Sequence, residues 1–116
     1  MGDLAETTGG LVTSNGTKAY HAAVEPATGV LLAVAWEAAA IHLAGWAVSA
    51  SRPCVFVLRS WPNGTVHGSA SIPDGGGELR LTVASPSGRG QKCVLRFVAS
   101  VEGDELGKSV SASCVQ

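Results

Sequence analysis

The residues that say most about chemistry are the chain's only two asparagines, Asn15 and Asn63, each in the tripeptide Asn-Gly-Thr. Asn-x-Thr is the acceptor for N-linked glycan and Asn-Gly is a turn dipeptide, so both are expected on exposed loop tips as glycosylation sites. The three cysteines come next. If Val101 pairs with Leu106 across the turn at 102–105, Cys93 stands opposite Cys114 on adjacent strands, both facing inward, where a disulfide can form. Closing that loop of about 20 residues is worth roughly 3 kcal/mol. Cys54 is then the odd thiol. The competing account makes all three cysteines small buried hydrophobes of a reducing compartment. The paired acceptor tripeptides tip the expectation toward export.

Other constellations point to less. His21, His42 and His67 are far apart in the chain, and no Cys-x-x-Cys or His-x-x-x-His spacing occurs, so neither a metal nor another cofactor is expected. The run Gly103-Asp104-Glu105-Leu106-Gly107-Lys108-Ser109 is one residue short of a P-loop. A strand-like alternation follows it where a phosphate site needs a helix, so it reads as a hairpin turn. His67, Ser69, Ser71 and Asp74 are the residue types of a nucleophilic triad, but adjacency in sequence supplies no triad geometry. Asp74, Glu78, Glu102, Asp104 and Glu105 fall at turns, where acids solubilise, and no catalytic carboxylate pair is assigned. Trp36 and Trp46 are read as core residues. Trp61, beside Pro62-Asn63-Gly64, and His67, on the polar side of its strand, are the candidate partner contacts.

Composition narrows the class. The 116 residues suffice for one domain, 46% of them hydrophobic and only 15% charged. A surface made polar by hydroxyls and backbone suits packing against a partner or against copies of the chain. The eight Lys and Arg are scattered, so nucleic-acid binding is not expected. The strongest basic grouping, Arg80, Arg89, Lys92 and Arg96, reads as a solvated strand face. Residues 29–49 are apolar over the length of a bilayer span, but Glu37 and His42 sit near the middle, and no membrane span is expected. Met1 to Gly10 has no apolar core of a secretory leader, so export implies a leader already removed.

The elements that must position these residues are strands. Turn signals at 61–64, 73–77, 85–90 and 102–105 bound the runs 54–60, 66–72, 78–84, 91–101 and 108–115, which read as a β-meander. Cys93, Leu95 and Phe97 alternate with Lys92, Val94 and Arg96, the pattern of one buried and one wet face. The 54–58 run is apolar on both faces, as in a central strand. Residues 18–24 and 30–36 read as further strands. Residues 37–43 are Ala-rich, which favours helix. The expected fold is therefore a mainly β, antiparallel sandwich, jelly-roll or Ig-like, with a short helix near 36–44. The alternative is an α+β arrangement, one helix at about 30–48 on a five-stranded sheet. Residues 1–16 are expected as a polar N-terminal arm and 17–116 as the domain.

The functional expectation is a non-enzymatic recognition or adhesion module, extracellular or surface-displayed, that binds a protein or glycan partner through its loops. One alternative is a viral coat, capsid-projection or phage decoration protein that binds copies of itself. A second is a small enzyme or inhibitor on the helix-plus-sheet fold, and a cytosolic location goes with the reduced-cysteine account. Fold analogy cannot separate them.

Overall fold

The computed structural model describes residues 5–9, 19–72, 77–99 and 109–116. Among the described residues, ten strands form two antiparallel sheets packed face to face as a β-sandwich. The larger sheet has six strands: β1 (Ala5–Gly9), β2 (Tyr20–Val24), β3 (Leu31–Ala35), β6 (Cys54–Ser60), β7 (Thr65–Ser71) and β10 (Val110–Val115), in the order β1-β2-β3-β6-β7-β10. The smaller holds β4 (Ala39–Leu43), β5 (Trp46–Ala50), β8 (Gly77–Ala84) and β9 (Cys93–Ala99), in the order β4-β5-β8-β9. The chain thus lays the β4–β5 and β8–β9 hairpins on one sheet and returns each time to the other.

Period-two alternation explains the core. Inward residues of the larger sheet include Leu31, Ala33, Phe56, Leu58, Val66 and Ala70, and the smaller sheet answers with Ile41, Trp46, Val48, Leu79, Leu81, Val83, Leu95 and Phe97, all buried. Fully burying a side chain such as Leu58 or Phe97 is worth about 1.5–3 kcal/mol. Gly68 faces inward on β7, where a Cβ would stand 2.6 Å from Leu58 Cδ2 and 3.0 Å from Leu95 Cδ1. Its missing side chain is the space those leucines fill. The Trp46 indole N–H donates to the Gly29 carbonyl at 3.3 Å, which satisfies the one polar atom of a buried ring.

Residues 30–48 contain neither the short helix near 36–44 nor the long helix at 30–48; they form β3, β4 and β5. Within β4, Ile41 is buried while Ala40 and His42 face out, a two-residue period that overrides alanine's helical preference. The reversal is local. Leu43 pairs with Trp46, and the two residues between them, Ala44 and Gly45, have φ of 50° and 89°. That is the two-residue hairpin loop with left-handed backbone at both positions.

Other expectations also change. The second half is not a meander in one sheet: β8 and β9 belong to the smaller sheet and β7 and β10 to the larger. Trp36 is not a core residue but 49% exposed, just past the end of β3. Ala5–Gly9, read in sequence as part of a polar arm, forms β1, paired with β2 from Ala5↔Val24 to Gly9↔Tyr20. Asn15, Asp74 and the turn at 102–105 lie outside the described residues.

Candidate functional site

The outer face of the larger sheet and the turn at its end carry three of the residues singled out from sequence, Trp61, Asn63 and His67. Register places Leu32 of β3 opposite Val57 of β6, and Val34 opposite Val55. Directly opposed side chains on one face are about 4.5–5.5 Å apart at Cβ, so these four form one aliphatic block. Leu32 is 39% exposed, Val55 46% and Val57 37%, with Val34 half-buried. The 54–58 run was legible as central, and β6 does lie inside the sheet between β3 and β7. What the sequence did not reveal is that its second apolar face is open.

Serines border the block. Val57 pairs with Ser69 of β7 and Val55 with Ser71, and beyond them Ser69 pairs with Ser111 of β10. The Ser69 and Ser111 hydroxyls are 3.2 Å apart, and Ser71 and Ser109 stand at a longer 3.5 Å. Ser69 and Ser71 therefore face serines across the β7–β10 pair. His67 shares their face of β7, and Asp74, the acid that would complete a triad, is outside the described residues.

At one end of this face, Trp61, Asn63, Thr65, His67 and Ser113 line a shallow groove of about 340 Å³. Register explains the grouping. Arg59 pairs with His67, and His67 with Ser113, so all three cross the sheet in one row. The Arg59 guanidinium carbon stands 5.1 Å from the centre of the Trp61 ring, a cation–π contact that orients an indole 37% exposed. Trp61 and His67, picked separately from sequence as contact residues, thus share one groove, and Asn63 lines it with them.

Two backbone hydrogen bonds hold the turn that carries Asn63. Gly64 N–H donates to the Trp61 carbonyl at 3.0 Å, and Trp61 N–H donates to the Thr65 carbonyl at 2.9 Å. Gly64 has φ of 90°, whereas Pro62 and Asn63 are not among the residues with positive φ. This is a three-residue hairpin loop, a type I turn followed by a left-handed bulge glycine. Asn63 is exposed, and its Oδ1 accepts from the Thr65 N–H at 3.0 Å.

The outer face of the smaller sheet differs in charge. Glu78 binds Arg80 and Arg96, each at 2.6 Å, and these two hydrogen bonds hold its carboxyl below the ordinary glutamate value. Arg80 and Arg96 pair directly across β8 and β9, so one carboxylate bridges two guanidinium groups that would otherwise repel.

The cysteines divide as expected, by a different route. Cys93 and Cys114 form a disulfide with a Cα–Cα distance of 5.9 Å. Their strands are not hairpin partners, however. β9 is the edge of the smaller sheet and β10 the edge of the larger, so the bond clasps the two sheets along one side of the sandwich. Cys54 is free and buried in the core, where desolvation pushes its thiol up to about 11 against a weaker lowering by Arg52.

Gln116 gave no sequence signal, yet its side chain joins the sheets. Its Nε2 donates to the Val83 and Gln91 carbonyls, both at 2.9 Å, and its Oε1 accepts from the buried Ser85 hydroxyl. Its backbone N–H donates to the Gly64 carbonyl at 2.8 Å, which ties the Asn63 turn to the same junction.

Among the described residues, no three His, Cys, Asp or Glu side chains converge as metal ligands would. No helix among them is long and apolar enough to cross a membrane, and residues 29–49 are spent on strands. No protein-family model matches the chain, and no curated protein or solved structure matches it either.

Proposed function

We propose that the chain is a non-enzymatic recognition module of an exported or surface-displayed protein, which binds a protein partner through the outer face of its larger sheet. The aliphatic block of Leu32, Val34, Val55 and Val57 carries this reading. Four aliphatic side chains on the open side of central strands cost solubility without serving the core, and contiguous exposed patches of this kind mark interaction surfaces. Small serine side chains border the block and leave it accessible to a flat partner. The Cys93–Cys114 bond fits an oxidising compartment.

A second reading has its own support. The described side chains of this face carry little charge, Arg59 at the far end being the clear cation, so little among them opposes docking of a copy of the same face. That is the property required of a coat or decoration subunit.

One experiment separates the two. A photoreactive diazirine side chain installed at position 57 and activated in the protein's natural setting should yield a covalent adduct, lost when Val55 is replaced by lysine. An adduct with a different protein supports the recognition module. An adduct with the chain itself supports assembly, and no Val55-dependent adduct overturns the assignment of this face.

A further inference from the structure

We infer that the groove beside Trp61 is the seat of the chain's own first sugar: Asn63 is a glycan acceptor whose N-acetylglucosamine packs on the indole. The inference deepens the exported reading and rests on it for its biological setting. Its geometric basis is independent.

Three observations converge. The Asn63 Oδ1 is engaged by the Thr65 N–H at 3.0 Å, and because a backbone N–H needs an oxygen acceptor, this fixes which arm of the amide is which. The nitrogen, the atom that carries glycan, therefore lies on the arm turned away from the turn backbone. The residue is exposed, and Thr65 supplies the hydroxyl of the acceptor tripeptide. Next, the turn places residues 61, 63 and 65 together. Trp61, Asn63 and Thr65 line one groove with His67 and Ser113, so a sugar linked to Asn63 has that groove as its immediate neighbour. Finally, the groove suits a monosaccharide in size and chemistry. Its volume of about 340 Å³ lies at the small end of ligand sites, which run from about 300 to 1,000 Å³. Its lining includes the partly exposed Trp61 indole, an apolar surface of the kind the C–H face of a pyranose packs on, and hydroxyl and imidazole groups for the ring hydroxyls and acetamide, with no carboxylate among its lining residues. Arg59 restrains the indole before any sugar arrives, which lowers the ordering cost of the contact.

The covalent step is a substitution without redox change. The Asn63 amide nitrogen attacks the anomeric carbon of N-acetylglucosamine in a lipid-diphosphate-linked donor. The C–N bond forms as the C–O bond to diphosphate breaks, the electron pair leaves with the diphosphate, and one amide proton passes to a base of the transferase.

The test uses the full chain secreted from eukaryotic cells behind a heterologous leader, in an Asn15→Gln background, with the glycan trimmed enzymatically to one N-acetylglucosamine. Glycopeptide mass spectrometry should find Asn63 occupied in most chains. The single-sugar form should melt about 3–6 °C above the same Asn15→Gln chain made without glycan and with its disulfide formed. Trp61→Ala should abolish that difference, and Trp61→Phe should keep most of it. A bare Asn63 in secreted, folded chain overturns the inference, and so does an occupied Asn63 with no melting difference or with one indifferent to Trp61→Ala. The heterologous leader keeps this result separate from the exported reading, which fails instead if chain from its natural host is unglycosylated with Cys93 and Cys114 reduced.

Discussion

At the scale of single residues, Ala44, Cys54 and Gln116 each set a measurable share of stability. Ala44 holds a φ of 50° in the β4–β5 loop, a conformation that costs an ordinary L-residue about 1–2 kcal/mol. Ala44→Asn creates the Asn-Gly pair that such loops prefer and should raise stability by about 0.5–1 kcal/mol, read from the urea midpoint. Cys54 makes the opposite kind of claim, through pH. Its thiol ionises near 9.0 in the open chain but is pushed up to about 11 in the fold, because burial disfavours the thiolate. Below about pH 9 both states keep the proton and its contribution is intact. As pH rises from 9 to 11 the unfolded chain sheds the proton first, so about 2–3 kcal/mol of stability is lost across that window. Urea melts at pH 8 and 11 should show this loss in the wild type and lack its Cys54 share in Cys54→Ala. Residue types were the most legible part of the sequence: Cys93 and Cys114 were paired, though through the wrong strand partnership, and Trp61 and His67 were each marked by polarity and position, while the groove that joins them was not. Gln116 was not legible, because a glutamine's worth depends on which carbonyls three distant segments bring to it. Gln116→Ala leaves those partners and buried Ser85 short of bonds and should cost about 1–3 kcal/mol in chemical denaturation.

At the scale of elements, alternation announced β2, β3 and β6 to β10, but neither β1, β4 nor the sheet each strand joins. The β6 boundaries, Cys54–Ser60, coincide with the sequence reading, since turn residues flank an unbroken apolar run. The 36–44 segment misled because alanine favours helix when nothing else decides, and here the left-handed pair Ala44-Gly45 decided first. Period two also cannot say which sheet a strand joins, so Cys93 and Cys114 looked like hairpin partners when they face each other across the sandwich. β7 shows how an element accommodates its opposite layer. Gly68→Ala forces Leu58 and Leu95 aside and should cost about 1–3 kcal/mol, visible as a lower melting temperature with the β6–β7 hairpin still formed by amide exchange.

For the whole molecule, the clasp between sheets sets a measurable share of stability. Reduction of Cys93–Cys114 removes a cross-link spanning 21 residues and should lower stability by about 3 kcal/mol, a fall in melting temperature of about 10 °C. Calorimetry with and without reductant reads it directly. The path of the chain, four passages between the sheets, has a further consequence in time. Neither layer can be finished alone: β7 waits for β10, and the Ser69–Ser111 contact joins residues 42 apart. Most of the ordering entropy must therefore be lost before the last pairings repay it, which sets folding on the order of milliseconds to seconds. A newly made chain exposes the edge of β7 until β10 arrives, an interval in which it is open to pairing with strangers. With the disulfide intact, β10 starts the search already tethered to β9. Stopped-flow refolding should accordingly be faster for the oxidised chain than for the reduced one.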